Sequence, residues 1–83
     1  MNSYMNELYQ NGNGKQVTGF YRSQPFMGTI TNVRSTFGGG LNVYVDLESA
    51  ITIAGSERDS LVLDGEELFN GTGPVTENLH VYF

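Results

Sequence analysis

The sequence predicts a mainly β domain: a short N-terminal helix followed by a strongly bent, five-stranded antiparallel open barrel. Three observations carry that expectation. Leu41, Val43, Val45 and Leu47 alternate with Asn42, Tyr44, Asp46 and Glu48, and a period of two over so many residues marks a half-buried strand. The run Gly38-Gly39-Gly40 turns the chain between that strand and an earlier strand-favouring run, Phe26 to Arg34. Gly28 interrupts the earlier run, and a glycine inside a strand marks a bulge, a bend or a close backbone approach.

The elements follow in order. Asn2 or Ser3 can cap a helix over residues 1–10, with Tyr4, Met5, Leu8 and Tyr9 on one face. Two turns are unstable alone, so that face is expected to pack on the sheet. Asn11-Gly12-Asn13-Gly14 stops the helix and opens a connector over residues 11–15. A first strand is expected at 16–22, with Ser23-Gln24-Pro25 as its closing turn. Strands at 26–34, 41–47 and 51–54 come next, and Leu61-Val62-Leu63 leads into Asp64-Gly65, a tight-turn pair. Asn70 to Pro74 reads as a further turn, and Leu79, Val81 and Phe83 alternate in a closing strand. Residues 16–83 thus form a small barrel, and the chain is one domain over residues 1–83.

Composition narrows the function. A chain of 83 residues buries only about 60–65% of its unfolded surface, so its own core is marginal. There is no cysteine and no metal-ligand cluster to supplement that core, which makes self-association a natural route to stability. No charged segment leads into an apolar run, so neither a secretion signal nor a membrane span is expected, and a cytoplasmic location fits the lack of cysteine. Nine acids against four bases give a net charge of −5, which argues against a basic, non-specific nucleic-acid binder.

Catalytic chemistry finds no footing. Gly12, Gly14 and Lys15 lack the first glycine of a phosphate loop, and Gln16 stands where Ser or Thr would hold magnesium. His80, the single histidine, has no neighbouring nucleophile and lies on the polar face of the closing strand. Glu57, Asp59, Asp64, Glu66 and Glu67 do not match calcium-loop spacing. No enzyme activity, cofactor or metal is expected. Asn70-Gly71-Thr72 has the form of a glycosylation sequon and reads as a turn.

The order of helix, bent strand, loop and second motif resembles the Sm/LSm family, including the bacterial Sm-like RNA-binding proteins. Gly28, Ile30 and Val33 fill the first places of the family's first signature, with Arg34 where an aspartate is expected. After an apparent insertion, Phe37-Gly38-Gly39-Gly40, comes Leu41-Asn42-Val43, in which Asn42 corresponds to the signature asparagine. Leu63-Asp64-Gly65-Glu66-Glu67-Leu68 has the shape of the second signature, with Asp64 replacing its arginine. The resemblance covers residues 2–70 and implies an Sm-like (SH3-like) open barrel.

That resemblance implies a ring of self-associated copies that binds single-stranded RNA, or DNA, without catalysis, in nucleic-acid processing or regulation. Phe37, Leu41 and Asn42 would line a base slot, with Asp64 and Gly65 at the second-signature side. Arg34 would supply the cation that Asp64 removes, an exchange of sign between the two signatures. Blander readings stand beside these. Asn42 also suits an outward position at a strand start, Phe37 can fold back over the barrel end, and Arg34 can pair with Asp46 or Glu48 across the hairpin. The alternative function is a structural or protein-interaction barrel that has lost the RNA slot.

Overall fold

Asn2 starts the first helix, α1 (Ser3–Asn11), because its side-chain oxygen accepts the Met5 N–H at 2.8 Å. The computed structural model describes residues 2–83. Leu8 is fully buried and Tyr4 and Met5 pack on the core, whereas Tyr9 is 49% exposed. The expected four-residue packing face is therefore narrower by one residue. The connector is laced to the sheet: the Gly14 N–H donates to the Ile30 carbonyl, and the Ile30 N–H to that of Lys15.

Five strands follow: β1 (Gln16–Tyr21), β2 (Gln24–Ser35), β3 (Leu41–Ile53), β4 (Ser56–Asp64) and β5 (Thr76–Tyr82). All neighbours are antiparallel, in the order β4-β3-β2-β1-β5. The turn between β1 and β2 is Arg22-Ser23, not Ser23-Gln24-Pro25 as expected. Both residues have positive φ, 46° and 66°, which a two-residue type I′ hairpin requires. Pro25 sits inside β2 in a stretch that has parted from β3, whose pairing with β2 runs from Gly28↔Leu47, so no ladder bond to β3 is lost there. Gly28 is where β2 and β3 press together: a Cβ there would strike the Asp46 carbonyl oxygen and lie 2.6 Å from Val45 Cγ1.

The expected strands at 41–47 and 51–54 are one continuous strand, β3, with a register shift against β4 between Asp46 and Ile51. Asp64-Gly65 is not a tight turn but the start of a second helix, α2 (Gly65–Asn70). The sheet also does not close into a barrel. Its first and last neighbours, β4 and β5, are separate edges, and α2 lies between their ends, touching α1, β3, β4 and β5. Leu68 anchors α2 in the core. Val17, Ile30, Val43, Val45, Leu63 and Val81 meet on one face of the sheet, with Leu8 over them. Phe83 lies beyond β5, half-exposed, with its ring edge-on to Tyr4 at 5.7 Å.

Candidate nucleic-acid interface

Alternation along β2, β3 and β4 sorts their side chains into two sets. Val33, Val43 and Leu63 stand side by side in register and face the core. One residue further along each strand, Arg34, Asn42 and Asp64 also stand side by side, on the outer face. The register thus brings three of the six predicted site residues into a single row across three strands.

Arg34 is exposed, and its guanidinium carbon lies 5.8 Å from the centre of the Tyr44 ring, within cation–π range. The cross-hairpin ion pair is not what the register offers, since Asp46 lies opposite Thr29 and Ser60. Tyr44 sits on the same outer face, opposite Asn32 on one side and Val62 on the other. The Thr31 hydroxyl donates to the Tyr44 carbonyl at 3.3 Å, beside a register shift in β2 between Ile30 and Asn32.

Phe37 stands in the loop between β2 and β3 with its ring wholly in solvent, and does not fold back over the sheet. The loop is held at its neck by Thr36 N–H to Gly40 carbonyl at 2.8 Å. Gly38 and Gly39 have φ of 103° and 91°, a region that side chains resist, so glycine is required to shape this tip.

Leu41 and Gly65 behave differently. Leu41 is 1% exposed and belongs to the core. Gly65 is buried beneath it: a Cβ there would lie 3.0 Å from Leu41 Cβ and 3.1 Å from Met5 Sδ. Both build the floor under the loop and present no side-chain surface to a ligand. Asp64 is the N-cap of α2: its carboxylate accepts the Glu66 N–H at 3.0 Å, while its own N–H donates to Glu67 Oε1 at 2.9 Å. That reciprocal pair is a capping box. The second Glu67 oxygen accepts the hydroxyl of Thr76 at 2.8 Å, a residue 1% exposed.

Between the glycine loop, α1 and α2 lies a groove of about 430 Å³, lined by Asn2, Met5, Gly38–Gly40, Asp64, Glu66, Phe69 and Asn70. Its charged side chains are acidic, so this side repels phosphate while Arg34 lies across Asn42 from Asp64. Among the described residues no three His, Cys, Asp or Glu side chains are grouped to hold a metal ion, and no helix is long and apolar enough to cross a membrane. Sequence reasoning missed two features. Tyr44 was visible as an outward residue, but its partner was not. Helix α2 carried a signal in Asp64-x-x-Glu67, the spacing of a capping box, with Gly71 after its last residue. No protein-family model matches this chain, and no curated protein or solved structure matches it.

Proposed function

We propose that this protein is a non-catalytic, self-associating Sm-like domain that binds single-stranded nucleic acid, RNA before DNA, where β2 turns into β3. The observation that carries the reading is the placement of Phe37. Its ring adds nothing to the core, stands on a glycine-shaped loop, and lies three residues from Arg34 in the polar outer row. Single-stranded readers combine such aromatic surfaces with cations and amide edges, and Asn42 supplies the amide. Self-association is supported by the two open edges, β4 and β5, whose outer backbone groups lack a strand partner. Val62, on β4, and Tyr82, on β5, are each about half exposed. Copies joined β4 to β5 satisfy both edges, and a ring is the arrangement that closes.

Fluorescence anisotropy with labelled single-stranded RNA across a salt series tests binding. Phe37→Ala is expected to cost about 1–3 kcal/mol per stacked base without changing the salt slope. Arg34→Ala should flatten that slope by about one unit. No wild-type binding at low salt would refute the nucleic-acid reading, and light scattering that gives a single-chain mass at micromolar concentration would refute the ring. The acidic rim of the groove, with Phe69 half-exposed beside it, favours a second reading as a protein-interaction module. That reading takes over if nucleic acid neither binds nor co-purifies.

A further inference from the structure

We infer that Arg34 and Tyr44 form a second stacking platform for a nucleobase, with the guanidinium as its outer plane and Tyr44 as the residue that positions it. The inference rests on the nucleic-acid reading above and adds where the neighbouring nucleotide goes. Arginine has many rotamers, and a plane that offers itself to a base must be held flat. Tyr44 offers the support: the guanidinium carbon lies over its ring, 5.8 Å from the centroid, within cation–π range. The ring is itself half-buried, and its backbone is tied by the Thr31 hydroxyl. Because Arg34 is exposed, the plane turned away from the ring stays open to a ligand.

The surroundings suit a base rather than a bare phosphate. Asn42 lies opposite Arg34, and Asn32 lies opposite Tyr44, so two amides flank the stack, each carrying a donor and an acceptor for a base edge. These two rows are separated by about 7 Å along the strands. Asp64, the acid of the row, is engaged in the α2 cap instead of pairing with Arg34. Phe37 follows Arg34 by three residues, at most about 10 Å of chain, which keeps the two stacking surfaces within reach of one strand.

The test uses the full chain and fluorescein-labelled oligoadenylate and oligouridylate of about ten nucleotides, a length in the range single-strand sites span. Lysine keeps the charge of Arg34 but cannot stack. Arg34→Lys should therefore weaken binding roughly tenfold with the salt slope unchanged. Tyr44→Val should do the same, and Tyr44→Phe should bind as wild type. Wild-type affinity in Arg34→Lys, or a loss in Tyr44→Phe, overturns the platform. If Tyr44→Val lowers the unfolding midpoint, Arg34→Lys at its exposed position decides alone. Wild-type binding that Phe37→Ala weakens and Arg34→Lys does not would overturn this inference and leave the parent reading intact. No wild-type binding to either oligomer refutes both.

Discussion

Glu67 ties three elements together, and removing its carboxylate gives the sharpest test of how α2 is held. One oxygen accepts the backbone N–H of Asp64 at the end of β4, and the other accepts the hydroxyl of Thr76 at the start of β5. The two bonds differ in weight. Asp64 is exposed, so water replaces the first acceptor at small cost. Thr76 is 1% exposed, so Glu67→Ala strands a buried hydroxyl, worth about 1–3 kcal/mol. Loss of the acid in the first turn adds about 0.3–1 kcal/mol through the helix dipole. A total near 2–3 kcal/mol lowers the melting midpoint of a domain this size by roughly 10–20 °C. Thermal denaturation followed by circular dichroism, at matched protein concentration, reads this directly. The decisive arm is the double variant Glu67→Ala/Thr76→Val, which removes the stranded hydroxyl along with its acceptor. Its destabilisation should fall short of the sum of the two single variants by about 1 kcal/mol. Strict additivity, or a Glu67→Ala midpoint within about 2 °C of wild type, would refute the reasoning.

Other positions yield predictions of the same kind. Gly28→Ala should cost roughly 1–3 kcal/mol, because its methyl meets the β3 backbone at Asp46 as well as the Val45 side chain, and a urea titration that leaves the midpoint unchanged would contradict that contact. Burial raises the Tyr4 phenol above its ordinary value of 10.0. Above pH 10 the unfolded chain ionises first, so Tyr4's contribution is fully present below pH 10 and is lost as pH rises through the raised folded value. Tyr4→Phe should remove this part of the alkaline loss of stability, and an unchanged pH profile would argue against it.

How much of this could be read from the chain depends on whether the signal is local. The alternation from Leu41 to Leu47 places the core row of β3 without reference to any partner, and the structure buries Leu41, Val43 and Val45. Gly28 left a bulge, a bend and a close approach open, and the structure shows Val45 and Asp46 approaching it. Residues 48–50 hid the continuity of β3. Five steps from Asp46 to Ile51 face two steps from Ser60 to Arg58, so three extra residues break the alternation there. Helix α2 was missed because six residues hold too little periodicity, and Asp64-Gly65 has the same letters in a turn as in a cap. The hairpin at Arg22-Ser23 carries no glycine, so Pro25 drew the expected turn too far along the chain. The Arg34–Tyr44 cation–π contact depends on cross-strand register, which composition does not encode.

Asp64 is where cap and interface meet, and it offers a way to separate them. Asparagine caps a helix about as well as aspartate, so Asp64→Asn keeps the bond to the Glu66 N–H while removing one negative charge. Stability should therefore stay within about 0.5 kcal/mol of wild type. Binding should change in the opposite sense from a structural lesion. Two strand spacings separate Asp64 from Arg34 along their shared row, about 10 Å, and one phosphate held beside Arg34 is repelled across that distance. In water such a pair interacts by about 0.4 kcal/mol, so affinity for single-stranded RNA should rise roughly twofold at low salt. The gain should fade near physiological ionic strength, where screening acts over about 8 Å. Anisotropy titrations of the two proteins at both salt concentrations, with melting curves alongside, make the comparison. Equal affinities at low salt would mean that the nucleic acid does not pass along this row, while a collapse of stability would mean that Asp64 holds α2 by something other than its cap.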